Sequence, residues 1–582
     1  MTWIDWLVLG GTQLLIIIYG IWRSRQTRSM QAYFLSDRSM SWGAVCVSIM
    51  ATQASAITFL SVPGQAYDDG LRLVQMYYGL PLAMVVLAIT AVPIFHKLNV
   101  YTAYEYLETR FDLKTRTFCS ILFLTQRGLS TGFSIYAPSL VLSAVLGWDI
   151  FWLNLFTGGF ITIYTMTGGA KAVAQTQQLQ MLVITIGMTT AGVMAIYFLP
   201  ESVGFGDVLE IAGKSGRLNP INFQFDWNDR YTVWSGILGG FFLYSSYFGA
   251  DQSQVQRYLG GSSIKESRMG LLANGLLKIP MQVLILLVGI FVYVFFHFYN
   301  EPLIFNSFER SRLLQSPHAE TYKALEARQD QIEAKRRVLS LKLTEKESIS
   351  EESLQQIRSQ LSEAQAQQKA LRLDVARLSQ GLQLGQKGTD LQESLIKAAP
   401  KKDLDYVFIN FILSYLPVGV VGLLISVVLS ASMSSAAGAL SALASTTVID
   451  GIKRFQNSPR SDKTYVWYSR LSTLFWGIVA VAFAQMASGM DNLIQAVNVM
   501  GSLVYGTILG IFVVAFYFKS IGSHAVFWAA LLAESCILYL YFFERELIAF
   551  LWYNPIGCIL VIAFGYVAEH LFFRNKKETP KT

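Results

Sequence analysis

Apolar runs of about twenty residues recur along this chain, separated mostly by short polar loops. They fall near 6–22, 42–60, 73–95, 117–146, 149–166, 179–200, 232–250, 269–299, 418–448, 466–487, 492–517, 524–543 and 546–572. As a helix each is long enough to cross ~30 Å of hydrocarbon. The pattern predicts an all-α integral membrane protein with about thirteen transmembrane helices. The first run lacks the basic flank of a signal peptide and is expected to remain as a span.

An odd number of spans puts the termini on opposite sides of the bilayer. Basic residues then set the direction, because Lys and Arg accumulate in cytoplasmic loops. One set of loops carries Arg23, Arg25, Arg28 and Arg38, then Lys97, Arg110, Lys114 and Arg116. Arg257, Lys265 and Arg268 follow, with Lys453, Arg454, Arg460, Lys463, Arg470 and the tail "RNKKETPKT". The loops holding "DD" at 68–69 and "DWND" at 226–229 are poorer in basic residues. The expected orientation has the N-terminus outside and the C-terminus in the cytoplasm, in an inner (plasma) membrane.

Residues 300–404 break the pattern with a long polar segment, which the parity of the spans places outside. Apolar residues there recur at Leu325, Ile332 and Leu339, and again at Ile357, Leu361, Leu371, Val375, Leu378 and Leu382. That spacing is helical. Ser348, with Glu351 three residues on, offers a capping box to start a second helix. An antiparallel helical hairpin is expected, each arm about 45 Å long at 1.5 Å per residue. It reads either as a solvated charged pair or as a docking module for an unidentified partner. Its ends lie close together, so replacing 305–400 by a short linker is expected to leave the rest working.

Composition narrows the class further. Only 15% of the 582 residues are charged and 53% are hydrophobic, against about 25% charged in soluble domains. The net charge of +7 lies largely in loops between spans, so it gives no reason to invoke nucleic acid. Cys46, Cys119, Cys536 and Cys558 all lie in apolar runs and read as free thiols packed in helices. The five histidines are scattered without metal-ligand spacing. No nucleophile–base pair or nucleotide loop suggests an enzyme, and no cofactor is implied.

Three polar stretches lie where hydrocarbon-facing helix is expected. They are "SIMATQASAITFL" at 48–60, "YSSYFGADQ" at 244–252 and "SASMSS" at 430–435. Counted from the second span, the first two occupy the first and sixth places of a set of ten. Carriers made of two inverted five-helix repeats break the first helix of each repeat near the membrane midplane, where unwound carbonyls meet ions. The chain then divides into an N-terminal span and loop (1–41), a first stretch of core (42–299) and the insert (300–404). The rest of the core (405–517) and two further spans with a tail (518–582) complete it.

At these residues the sequence resembles the sodium:solute symporters, the family of glucose, iodide, multivitamin and proline carriers. The matching stretches are "YFLSDRSMSWG" (33–43), "TGFSIYAPSL" (131–140), "YTMTGGAKAVAQTQQLQ" (164–180), "DQSQVQRYL" (251–259), "LKIP" (277–280) and "LSASMSSAAGALSAL" (429–443). The resemblance covers nearly all of the chain outside the insert and implies a leucine-transporter-type core. It also implies a sodium site made of the Ala51, Ala54 and Ala431 carbonyls and the Ser434 and Ser435 hydroxyls. Na⁺ as the coupling ion suits such neutral oxygen ligands. The family usually has Thr-Asp after its glycine-rich stretch, and that aspartate serves a second sodium in several members. Here Thr176 is followed by Gln177, which implies one sodium per cycle, unless Gln177 is merely solvated.

For the solute, the resemblance points to Thr58, Gln75, Tyr77, Tyr244, Tyr247 and Lys278. Arg127 joins them as an intramembrane charge, a costly and usually functional feature, with a structural ion pair as its alternative. Lys278 resembles the sugar-carrying branch, whereas "IYAPSL…GWD…YTMTGGAKAV" resembles the branch carrying iodide, monocarboxylates and carboxylate vitamins. Two buried cations suit a carboxylate. The expected activity is sodium-coupled import of a small organic anion by alternating access, with a sodium–sugar symporter as the alternative. A transporter-like sensor is the alternative from another class.

Overall fold

Each apolar run contains helix in the computed structural model, which describes residues 1–24, 29–343, 351–383, 403–456, 458, 460–487, 493–544 and 547–573. Among the described residues, ten helices are long and apolar enough to cross a membrane. Three of the expected spans fall short of that measure for a physical reason. The run at 42–60 is cut into α3 (Trp42–Gln53) and α4 (Ala56–Asp69). The run at 232–250 ends in the ten-residue α11 (Gly240–Gly249), which meets α12 (Gln252–Leu259) across a second break. The runs at 149–166 and 179–200 both fall in α9 (Ile150–Tyr197), which is two helices joined across a kink at Gly169, and the first of them, Ile150–Met166, is a shorter apolar helix. Gly169 turns α9 with φ 59°, and a Cβ there would come within 2.7 Å of the Tyr33 ring. Only glycine meets both conditions.

The N-terminal helix α1 (Trp3–Ser24) and the short α2 (Met30–Leu35) precede the core. The first unit consists of α3 and α4, then α5 (Leu80–Ile89) running into α6 (Ala91–Lys97), the short α7 (Ala103–Arg110), α8 (Leu113–Leu146) and α9. A short α10 (Phe205–Lys214) links it to the second unit, which begins with α11 and α12 and continues into α13 (Ile264–Phe298). After the insert the second unit resumes with α17 (Leu404–Tyr415), α18 (Val420–Thr446), α19 (Asp462–Met486) and α20 (Leu493–Tyr517). Helices α21 (Ser523–Phe543) and α22 (Tyr553–Ala568) close the chain. Every residue of α18 from Ser430 to Thr446 is buried, because α1, α8, α9 and α19 all pack around it.

Among the described residues, three insert helices occupy the gap: α14 (Ser307–Leu314), α15 (Ala319–Leu343) and α16 (Glu351–Gln383). Leu325, Leu371 and Val375 share one apolar cluster between α15 and α16, with Ile332 and Leu378 against it, so the two arms do pair. The capping box at Ser348 lies outside the described residues, as do Arg25, Arg28 and the basic tail.

The hairpin does not stand free of the core. Glu301, next to the end of α13, is buried against Arg336 of α15 and Arg372 of α16. Lys214 at the end of α10 donates to the Leu343 carbonyl at 2.9 Å, and Arg358 donates to the Lys214 carbonyl at 2.9 Å. Charged positions that looked solvated in sequence thus fasten the insert to the membrane core.

Candidate functional site

Both breaks are buried at Ala54, Ala250 and Asp251. At the first, Ala54 (ψ 77°) and Ser55 (ψ 167°) leave helical geometry, and the last turn of α3 loses its onward hydrogen bonds. At the second, Ala250 (φ −134°) and Asp251 (ψ 114°) do the same. Unpaired backbone at this depth is tolerated only inside protein or beside a wet cavity. The side chains here supply partners. Ser434 Oγ donates to the Ala51 carbonyl at 2.9 Å, and the Tyr104 hydroxyl donates to the Ala250 carbonyl at 2.8 Å. Asp251 caps α12, accepting from the Ser253 backbone N–H at 2.9 Å and its hydroxyl at 2.6 Å.

The four serines of "SASMSS" have four different surroundings. Ser430 accepts from Gln13 of α1 at 3.0 Å, and Ser432 donates to the Ser134 carbonyl of α8 at 2.5 Å. These two serve helix packing. Ser434 bonds across to α3, whereas Ser435 back-bonds to the Ser432 carbonyl of its own helix at 3.3 Å. Ala51, Ala54 and Ala431 are fully buried. Gln177 is fully buried as well, not solvated. Its amide accepts from Ser48 Oγ at 2.6 Å and donates to Thr52 Oγ1 at 3.0 Å and to the Ser434 carbonyl at 3.4 Å. One neutral side chain of α9 therefore links α3 to α18.

A polar cavity lies beside the breaks. Six of the seven residues expected around the solute line it: Thr58, Tyr77, Arg127, Tyr244, Tyr247 and Lys278. Gln75 does not. Its amide donates to the Tyr231 carbonyl at 2.7 Å and accepts from the Asn222 N–H at 2.9 Å, so both ends hold an irregular loop. Gln53, Ser55, Gln126 and Asn498 complete the polar lining, together with Tyr505 from α20. The last helix of the second unit lacked any marked polar cluster in sequence, so its contribution was not legible there.

The charges of the cavity are unequal. Arg127 of α8 is ion-paired with the fully buried Asp251 carboxylate. Tyr505 OH donates to the same Asp251 oxygen at 2.8 Å, and the Arg127 guanidinium sits 5.4 Å from the Tyr247 ring centre. This corrects the picture of two free cations, since Arg127 is already neutralised. Lys278 differs: among the described residues no carboxylate pairs with it, and its Nζ lies 5.9 Å from the centre of the Tyr77 ring. Tyr77 in turn stacks on Tyr244 at 5.7 Å.

Two five-helix units, each opening on a broken helix, with a polar cavity at the breaks, make up a secondary membrane carrier. The chain belongs to the sodium:solute symporter family, matching it over residues 33–307 and 395–533. Its activity is therefore sodium-coupled solute transport in a membrane. The sodium-coupled monocarboxylate transporter 1 of Xenopus laevis is 24% identical over 89% of this chain and 68% of its own length. The human sodium/iodide cotransporter is 36% identical over 42% of this chain and 38% of its own. The sodium-dependent multivitamin transporter of Oryctolagus cuniculus is 33% identical over 50% and 44%. A Na⁺-coupled sialic acid symporter, solved in a substrate-bound outward-open state, shares the fold with a TM-score of 0.74. It is 20% identical, and the match covers 98% of each chain.

The Arg127–Asp251 pair yields a test. Asp251→Asn keeps the cap on α12 but leaves the guanidinium buried without its counter-charge, a change that costs about 3–5 kcal/mol. The melting temperature in detergent is expected to fall sharply and to recover in Asp251→Asn/Arg127→Gln. A double variant no more stable than Asp251→Asn alone would show that the pair is not what matters.

Proposed function

We propose that this carrier imports a small organic anion, a monocarboxylate or a vitamin-like carboxylate, together with Na⁺ by alternating access. The observation that carries the reading is Lys278. Among the described residues it has no carboxylate partner, and a buried ammonium without one is costly. A monovalent anion would neutralise it, with Gln53, Gln126 and Asn498 available to hydrogen-bond the rest of the solute. The monocarboxylate and multivitamin relatives support the same class. In this reading the N-terminus and the hairpin are outside and the C-terminus is cytoplasmic. Labelled monocarboxylates, vitamins, amino acids and sugars would be offered to proteoliposomes with Na⁺ or K⁺ outside. Carboxylates are expected to accumulate only with Na⁺ and much less in Lys278→Gln. Uptake of sugars alone, or equal uptake in K⁺, would overturn the assignment.

Sodium in this reading sits between the Ala51, Ala54 and Ala431 carbonyls and the Ser434 and Ser435 hydroxyls. The closeness of Ser434 to the Ala51 carbonyl supports it. Losing one such ligand costs about 1.5–3 kcal/mol, so Ser435→Ala is expected to raise the half-saturating Na⁺ concentration about tenfold or more. Ser432→Ala removes a bond to α8 and should lower the melting temperature while leaving sodium affinity nearly unchanged. Equal shifts in sodium affinity for both variants would favour simple packing.

One Na⁺ accompanies each solute. Gln177 bridges α3 and α18 with an amide, which supplies oxygen but no charge to hold a second cation in a low-dielectric site. Sodium dependence should be hyperbolic with a Hill coefficient near one, and reversal potentials in proteoliposomes would give the ratio directly. A measured ratio of two with native Gln177 would refute this.

A further inference from the structure

The insert lies outside what the family shares, since the match stops at residue 307 and resumes at 395. Glu301 stands just before that gap and receives three side chains from three elements. Arg336 Nη1 of α15 lies 2.5 Å from one carboxylate oxygen, and Arg372 Nη2 of α16 lies 2.6 Å from the other. The Tyr67 hydroxyl of α4 donates to that second oxygen. Both arms of the hairpin and the outer half of the first broken helix thus converge on one carboxylate. The site is built, not incidental: the Glu301 and Arg336 side chains are 1% and 2% exposed. Burial alone would raise the Glu301 carboxyl, but the two guanidiniums hold it down at about 2, so it stays ionised. The Tyr67 ring also packs edge-on to Tyr293, Phe296 and Phe305.

We infer that the hairpin is an outer brace for the broken helix, with Glu301 as the positioning residue through which both arms hold α4 in place. Glu301 touches neither the cavity nor the sodium oxygens; it acts through Tyr67. In an alternating-access carrier the outer half of this helix takes part in closing the site, so a brace on it shifts the populations of the two states. Apparent affinity then changes by the fraction of binding-competent protein. The transport consequence rests on the function proposed above, whereas the mechanical coupling does not.

Tyr67→Phe is the clean probe, because it keeps the ring packing and removes only the bond to Glu301. The second variant replaces 305–400 by a Gly/Ser linker. If that chain fails to insert, the neutral set Glu301→Leu/Arg336→Met/Arg372→Met removes the node and keeps the hairpin. Each is expected to shift the half-saturating solute concentration at least threefold, in the same direction, with little change in maximal rate. Tyr67→Phe combined with the second variant should shift it no further than either alone. Hydrogen–deuterium exchange across 56–69 in purified protein should rise at least threefold in each. Tyr67→Phe behaving as wild type in both measurements, or effects that multiply in the combination, would overturn the brace. Raised exchange in a protein that carries no solute would support the brace and sink the proposed function. Sodium-driven uptake with unchanged exchange would do the reverse.

Discussion

A helix that stops being helical in the middle of a membrane leaves carbonyl and amide groups that lipid cannot satisfy, and among the described residues this happens at the first helix of each unit. Around the gaps at Ala54–Ser55 and Ala250–Asp251 the partners come from side chains of other helices: Ser434 for Ala51 and Tyr104 for Ala250. That requirement accounts for Ser434 of the deeply buried α18, while its neighbours Ser430 and Ser432 join it to other helices. Its serines face α1, α8 and α3 in turn, each meeting a different acceptor or donor. Gln177 adds a further neutral bridge at the first gap. The polar groups that keep the broken backbone paired are thus hydroxyls and amides, which exchange partners at little cost compared with ionised groups.

Charge follows a stricter rule in the same medium. Arg116 is paired with the buried Asp450 at 2.6 Å, Arg127 with Asp251, and Glu301 with two arginines. Breaking any of these pairs would strand a charge at low dielectric. Two buried cations lack a carboxylate partner among the described residues: Arg257, which donates to the Gly438 carbonyl at 3.3 Å, and Lys278, which faces the Tyr77 ring in the cavity. The cavity it faces is otherwise balanced.

Much of this was legible in the sequence. Length and apolarity disclose membrane helices, and a cluster of hydroxyls and amides inside an apolar run discloses a break. Pairing between distant residues is not written in local periodicity. Arg127 and Asp251 are 124 positions apart, so composition could show a buried cation but not its neutralisation. Gln75 lies two residues from the cavity-lining Tyr77, yet its side chain is held by an irregular loop that no repeat predicts. Helical spacing in the insert correctly gave two arms. It could not show that Arg336 and Arg372, ordinary surface residues by type, converge on a carboxylate that lies outside both arms.

The contacts also sort by which helices they join. Arg116–Asp450 and Ser432–Ser134 tie α8 to the α18 segment, the third helix of one unit to the third of the other. The Glu301 cluster ties α4 to the end of α13, first and second helices of their units. Within these two groups, buried ion pairs serve as fasteners. Links that cross between the groups near the breaks include Ser434–Ala51, Gln177 to Ser48 and Thr52, Gln256 to Ser441, Arg257 to the Gly438 carbonyl, and Arg127–Asp251. Most of those cross-links are neutral hydrogen bonds, each worth about 0.5–1.5 kcal/mol net. A carrier whose two groups of helices rock against each other around a central site needs that distribution: firm ties inside each group, and weaker ones where ion and solute can substitute for them.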